Sequence, residues 1–163
     1  MKTGIVGRAL LGVGALCLAS SLAMAGTKSK LVGNWDLDVA KATVTGQSSY
    51  KSGHVTITAE KDAIKTVVDM VPTTGAPMHY EATLGLDGVT GPVTGNTYYD
   101  SADLVQVDAL TTIRTERRGG KVVGVTTIEL AKDGKTLMSS SKGTSADGKQ
   151  FTRSLVWVRS KKK

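Results

Sequence analysis

The sequence predicts an all-β fold, a single antiparallel up-and-down β-barrel of about 8–10 strands that follows an N-terminal signal peptide. Three observations favour this fold class. β-Branched residues are abundant after Leu31, no segment of helical length keeps a 3.6-residue apolar period, and turn residues recur about every eight to twelve positions. Closing such a sheet into a barrel removes its exposed edges. A two-sheet sandwich is the alternative, but it needs a long Greek-key connection, which the last five segments do not offer.

Residues 1–25 have the pattern of a signal peptide. A positively charged start is followed by the apolar run Ala9 to Leu18, which is too short for a membrane span of roughly 20 residues, and then by the small-x-small motif Ala23-Met24-Ala25. We predict cleavage after Ala25 and a periplasmic or secreted bacterial protein. The only cysteine, Cys17, leaves with the signal, so the mature barrel has to be held together without a disulfide.

The predicted order along the chain is a flexible N-terminus at 26–30, a barrel at 31–160 and a basic tail at 161–163. The chain carries a formal charge of +7, and three of its positive charges are Lys161, Lys162 and Lys163. Contact of this tail with an anionic envelope surface is one hypothesis, and a simply solvated tail is the other. We do not expect nucleic acid as a partner, because an export signal would take the protein out of the compartment that holds nucleic acid. In addition, too few aromatic residues alternate with the basic ones.

The first strand is predicted at about 31–37, and Asp38 is a candidate cap for one helical turn after it. Thr43 to Gly53 is rich in Ser and Gly and is predicted to be a loop. Alternating and β-branched stretches predict the later strands, which lie at about 54–60, 64–70, 78–84, 92–93, 103–107, 110–117, 121–130, 135–141 and 149–159.

Short connections with glycine separate these strands. Gly119-Gly120 and the Asp-Gly pairs at 87–88, 133–134 and 147–148 supply residues that tolerate positive φ, as tight hairpins with primed turns require. Because the connections are short, successive strands are expected to pair as neighbours.

The stretch Val32-Gly33-Asn34-Trp35-Asp36-Leu37 resembles the Gly-x-Trp entry of the calycin superfamily, which contains the lipocalins and the fatty-acid-binding barrels. In those barrels the tryptophan of the first strand packs across one end against a basic residue late in the chain. The candidates here are Arg153 and Arg159. The resemblance implies a structural plug made of Gly33, Trp35 and Arg159.

The mature chain is also similar over most of its length to small exported bacterial proteins described as lipocalin-like. The matching stretches are 33–41, 86–95, 119–123 and 132–137. This resemblance implies a barrel that binds or carries a small molecule.

Charged residues inside predicted strands indicate where a ligand would be held, because a buried guanidinium must be paired or must hold an anion. We take Arg114, Arg153 and Tyr80 as candidate ligand-binding residues. On the last strand, the residues that share a face with Arg153 include Phe151 and Trp157. If this face points inward, Arg153 can meet a ligand carboxylate, and if it points outward, the aromatic residues form an exposed stripe.

No catalytic residue, metal site or cofactor is predicted. The mature chain has no cysteine, no Gly-x-Ser-x-Gly elbow and no carboxylate pair with a nearby histidine, so an enzyme is the less favoured class. Soft ligands for copper or zinc are present as three methionines and two histidines, but adjacent Met78 and His79 point to opposite faces of a strand.

Two functional hypotheses remain open at this point. In the first, an exported lipocalin-like barrel binds a small apolar or amphipathic, acidic ligand. In the second, a barrel without a cavity contacts envelope components or a protein partner through its outer face and basic tail.

Overall fold

The computed structural model describes residues 29–161. The predicted signal peptide, positions 26–28 of the predicted flexible N-terminus, and Lys162 and Lys163 of the basic tail lie outside the described residues. No helix between residues 29 and 161 is long and apolar enough to cross a membrane.

Strands make up nearly all of the regular structure in this part of the chain. In chain order the elements are β1 Gly33–Leu37, a 3₁₀ turn Val39–Lys41, β2 Thr43–Thr45, β3 Tyr50–Ala59, β4 Ile64–Pro72, β5 Met78–Leu84, β6 Gly91–Thr94, β7 Ser101–Gln106, β8 Thr111–Arg118, β9 Lys121–Leu130, β10 Thr136–Thr144 and β11 Gln150–Arg159.

Ten of these strands form one closed antiparallel barrel, which confirms the predicted fold class. β3 to β11 pair in chain order, β1 pairs with β3, and β11 returns to pair with β1. The closing register places Trp35 opposite Arg159 and Leu37 opposite Trp157. The short β2 pairs with residues 152–154 of β11, so it lies along the same side of β11 as β1, nearer to the start of β11.

The prediction of a loop from Thr43 to Gly53 is correct only for residues 46–49 and wrong for the rest. β2 lies within this range, and β3 begins at Tyr50, which is paired with Pro72 across a register shift between Tyr50 and Ser52. The polar sequence is held extended by its partner strands, because the ladder hydrogen bonds outweigh the weak β-propensity of Ser and Gly. Pro72 is tolerated because it occupies the last position of β4.

The hairpin turns fit the prediction only in part. Gly119 and Gly120 both have positive φ, +54° and +78°, as a primed turn requires. At the Asp-Gly turns only the glycine has positive φ, and Gly134 N donates to Ala131 O at 2.9 Å. With Gly148 N donating to Ser145 O at 3.0 Å, the turns at 131–134 and 145–148 both match a type I turn that ends in a left-handed glycine, whereas Gly88 N donates to Leu104 O instead. Asp133 contributes through its side chain, which accepts a hydrogen bond from Lys135 N at 2.9 Å.

The up-and-down order sends alternate connections to opposite ends of the barrel. We call one end the plug end, with the connections 60–63, 85–90, 107–110 and 131–135. The other is the mouth end, with the connections 46–49, 73–77, 95–100, 119–120 and 145–149. The half of the interior near the plug end is mainly aliphatic, with buried Leu31, Ile57, Ile64, Leu84, Leu104, Leu130, Leu137 and Leu155.

Candidate ligand-binding site inside the barrel

The plug end is closed by Trp35 and Arg159. Trp35 is 0% exposed, and its indole nitrogen donates to Leu31 O at 2.9 Å. The guanidinium of Arg159 lies 4.2 Å from the centroid of the Trp35 ring and donates to the carbonyls of Val32 at 2.9 Å and Gly134 at 2.8 Å. The structure thus brings the three residues of the predicted plug together, since Gly33 lies against the same guanidinium.

The last strand turns its aromatic face inward. Phe151, Leu155 and Trp157 are buried, whereas the alternate residues Thr152 and Val158 are exposed. Of the two orientations left open by the sequence, the structure has the inward one. Arg153 therefore points into the barrel, as one of the residues that line an internal cavity.

This cavity has a volume of about 110 Å³. Its lining is largely apolar toward the plug end and includes both tryptophans. All three predicted ligand-binding residues, Arg114, Arg153 and Tyr80, line it. Three charged side chains face the cavity from the described residues: Arg114, Glu116 and Arg153.

Two of these charges lie in one cross-strand row. Arg153 pairs in register with Ser141, Ser141 with Thr126, and Thr126 with Arg114, across the adjacent strands β11, β10, β9 and β8. Directly opposite residues on one face have Cβ atoms about 4.5–5.5 Å apart, so the row holds two guanidiniums apart with two hydroxyls between them. The hydroxyls of Thr126 and Ser141 are hydrogen-bonded to each other at 2.8 Å.

Glu116 neutralises Arg114. It lies two positions along β8 on the same face, and its Oε1 accepts from Arg114 Nε at 3.0 Å and Nη2 at 2.6 Å. Thr126 Oγ1 donates to the same oxygen at 2.9 Å, and Glu116 is 2% exposed. Burial alone would raise the pKa of this carboxyl, but the guanidiniums of Arg114 and then Arg153 outweigh it and hold the pKa below its ordinary value.

A pair of glycines makes room for the Glu116 side chain. The row next to the one above runs from Glu116 through Gly124 and Gly143 to Phe151. A Cβ on Gly124 would lie 2.5 Å from Glu116 Oε2, and one on Gly143 would lie 2.8 Å from the Phe151 ring. Because Gly124 and Gly143 have no side chain, the Glu116 carboxylate and the Phe151 ring can lie close to the sheet.

Arg153 has far fewer partners than Arg114. Its Nη1 donates to the hydroxyl of Tyr50 at 3.3 Å, and its guanidinium lies 4.8 Å from the centroid of the Phe151 ring. The Nε atom is buried and has no hydrogen-bond partner among residues 29–161. This donor is the main unsatisfied polar group of the cavity wall.

Tyr80 and Tyr99 complete the polar half of the cavity, which is the half that contains Arg114, Glu116 and Arg153. Their rings meet edge to face with centroids 6.1 Å apart, and the Arg114 guanidinium lies 5.7 Å from the Tyr99 centroid. Burial raises the pKa of the Tyr99 phenol well above its ordinary value, so the phenol is neutral at physiological pH.

A groove at the mouth end leads toward this half of the cavity. It has a volume of about 390 Å³ and is formed by the connections 46–49, 73–77 and 95–100. Tyr50, Met78 and Tyr98 line both the groove and the cavity, so the two spaces are neighbours.

The two histidines lie outside the barrel, in a second cross-strand row. Asp36, His54, Asp69 and His79 are paired in register across β1, β3, β4 and β5. Each histidine Nδ1 lies 2.7 Å from an aspartate oxygen, His54 from Asp36 and His79 from Asp69. Within the described residues no group of three or more His, Cys, Asp or Glu is placed to hold a metal ion.

Sequence reasoning left Glu116 and Tyr50 out of the predicted site. Glu116 carried a usable signal, because it shares a strand face with Arg114 by the period of two. Tyr50 carried none, since it lies in the stretch predicted to be a loop. No protein-family model and no curated protein matches this chain.

Proposed function

We propose that this protein is an exported lipocalin-like barrel that binds or carries a small amphipathic ligand with an acidic head, anchored by Arg153. The observation that carries the proposal is Arg153: its buried Nε has no hydrogen-bond partner among residues 29–161, and its guanidinium has one hydrogen bond to this part of the chain, to Tyr50 at 3.3 Å. A buried donor that is left without a hydrogen-bond partner is costly. A ligand carboxylate would supply the missing partner.

The choice of Arg153 over Arg114 rests on their different partners. Arg114 already has a carboxylate at 2.6 Å and a hydroxyl at 3.4 Å. Arg153 has a phenol hydroxyl at 3.3 Å and an aromatic face. A carboxylate that accepts two parallel hydrogen bonds from a guanidinium forms one of the stronger polar contacts known in proteins.

The cavity limits the size of the ligand. At about 110 Å³ it is smaller than typical sites for drug-sized molecules, which range from about 300 to 1,000 Å³. An apolar cavity of roughly 150 Å³ is enough for a benzene-sized molecule. The present cavity is smaller than that, so the proposal is a ligand with at most one ring or a short chain inside the barrel, and any longer part would extend into the groove at the mouth.

Binding of benzoate and hexanoate to the mature domain from Gly26 tests this proposal, with isothermal titration calorimetry as the measurement. We expect saturable binding, and we expect Arg153→Gln to weaken it by about tenfold or more. Lys142→Gln is the matched control, because it removes one positive charge from the outer face of β10 beside the same row. No saturable binding of any probe, or equal binding by the two variants, would overturn the proposal.

Export belongs to the same proposal and rests on the pattern of residues 1–25. Expression of the full chain in a bacterium is expected to give a periplasmic or secreted product that begins at Gly26. A retained full-length chain would contradict it.

The second hypothesis, a barrel that contacts envelope components or a protein partner, makes the opposite prediction for the probes. A chain that binds none of them but associates with the envelope only when Lys161, Lys162 and Lys163 are present would support it.

A further inference from the structure

The charges that face the cavity do not balance. Arg114 and Arg153 contribute two positive charges, and Glu116 contributes one negative charge. No other lining residue is an aspartate, glutamate, lysine or arginine. Within the described residues, the side chains that line the cavity therefore carry one net positive charge.

We propose that the cavity selects monoanions over dianions and over neutral molecules, with Glu116 as the residue that sets this selectivity. This inference rests on the proposed function, because it names the charge class of the ligand in the same cavity. Charges interact more strongly inside a protein than in water, and an unbalanced buried charge is penalised. One negative charge makes the cavity neutral, whereas a dianion leaves an excess negative charge and a neutral ligand leaves the net positive charge in place.

The position of the charges also assigns the direction in which the ligand lies. Arg153 contacts Tyr50, the first residue of β3 at the mouth end, and Arg114 contacts Tyr99 in the connection 95–100. The half of the cavity nearer the plug is lined by Ile57, Ile64, Leu84, Leu104, Leu137 and Leu155. A monoanion with an apolar tail thus places its head toward the mouth and its tail toward Trp35.

Glu116 is suited to set the net charge of the cavity because several contacts fix the position of its side chain. Arg114 and Thr126 both donate to its Oε1, and the missing side chain of Gly124 leaves space for its Oε2. Glu116→Gln keeps the shape of the side chain and an acceptor oxygen while it removes the negative charge. The substitution raises the net charge of the cavity from one to two positive charges, so a dianion then becomes the ligand that makes the cavity neutral.

Two probes of nearly equal shape separate charge from size. Benzenesulfonate carries one negative charge, and phenylphosphonate carries two once the pH is above its second pKa. We expect wild-type protein to bind benzenesulfonate about tenfold or more tightly than the phosphonate dianion. As the pH is lowered until the phosphonate is a monoanion, its affinity is expected to approach that of the sulfonate, which serves as the reference at every pH.

The variants test the role of Glu116. Glu116→Gln is expected to reduce the preference for the sulfonate by about tenfold or to invert it. Glu129→Gln, which removes one negative charge from an exposed position on β9, is expected to leave the preference unchanged. If Glu116→Gln does not fold, the pH series on wild-type protein still decides whether the cavity prefers monoanions to dianions.

The outcomes distinguish this inference from the proposed function. If none of benzoate, hexanoate and benzenesulfonate binds, the proposed function fails and the inference fails with it. If they bind but the phosphonate dianion binds equally well, or if Glu116→Gln leaves the preference of a folded protein unchanged, the inference fails while the proposed function stands.

Discussion

The guanidinium of Arg159 covers the ring of Trp35, at 4.2 Å from its centroid, in the one pair of strands that closes the barrel. The same guanidinium donates to three backbone carbonyls in two segments, Val32 at 2.9 Å and Lys30 at 3.2 Å before β1, and Gly134 at 2.8 Å in the turn before β10. It therefore ties the chain before β1 and the turn between β9 and β10 to the end of β11.

Arg159→Ala is expected to lower the free energy of unfolding by about 2–4 kcal/mol, because it removes a cation–π contact and leaves carbonyls near the plug without their donor. Urea unfolding followed by tryptophan fluorescence measures the change. Arg159→Lys is the control for charge. Lysine keeps the positive charge, but its ammonium group cannot donate to three carbonyls as the planar guanidinium does. We therefore expect its loss in free energy of unfolding to lie between zero and that of Arg159→Ala. Equal stability of Arg159→Ala and wild type would contradict the role of the plug.

Gly33→Ala is expected to cost about 1–3 kcal/mol of stability. Gly33 has φ +146°, which an L side chain rarely adopts, and a Cβ there would collide with Nη1 of Arg159. Part of the cost should vanish once the arginine is gone. In a double-mutant cycle with Arg159→Ala, we expect a coupling of roughly 0.5–1 kcal/mol, and strictly additive effects would show that backbone strain alone matters.

Gly124→Ala tests the space beside Glu116. Its Cβ would lie 2.5 Å from Glu116 Oε2 and 3.4 Å from Lys142 O. Because the carboxylate is buried and bonded to Arg114, it has little room to move, and a loss of about 1–3 kcal/mol is expected in urea unfolding. A neutral or stabilising substitution would show that this part of the interior is loosely packed.

Asp36→Asn tests the outer row of aspartates and histidines. The hydrogen bond from His54 lowers the pKa of the Asp36 carboxyl below its ordinary 3.8, so folding favours the ionised form. This stabilisation is fully present above pH 3.8 and is lost as the pH falls through the lower folded-state pKa. Both side chains are substantially exposed, so solvent screening limits the expected loss near pH 6 to about 0.2–1 kcal/mol.

The measurement for this pair is thermal or urea unfolding at several pH values. The difference between wild type and Asp36→Asn is expected to shrink as the pH falls below 3.8. Asp62→Asn, at an exposed position in the turn between β3 and β4, is the control. A difference that stays constant down to strongly acidic pH would refute the assignment to the carboxylate.

The sequence predicted the barrel well because its strands alternate and its turns are rich in glycine, both of which are local signals. The segment from Tyr50 to Gly53 was missed because its strand character comes from the ladder with β4, not from its own residues. The register of that ladder is a long-range property, which one sequence does not reveal.

In the candidate site too, the local features were predictable from the sequence and the long-range ones were not. The shared face of Phe151, Arg153 and Trp157 follows from the period of two, but whether that face points inward depends on closure of the barrel. The row that joins Arg153 to Arg114 depends on the registers of three hairpins. The pairing of Arg114 with Glu116 was within reach, since the two residues are local neighbours on one strand.

The seam between β1 and β11 has a consequence for the rate of folding. Most neighbouring strands meet through short hairpins, but this seam joins the two ends of the barrel sequence, and closing so long a loop has a large entropic cost before any contact forms. The seam is therefore expected to form late. Until it does, Trp35 lacks its arginine and the cavity has no closed wall. Because Trp35 and Trp157 both lie in the two strands of the seam, stopped-flow tryptophan fluorescence should report the step at which the barrel closes.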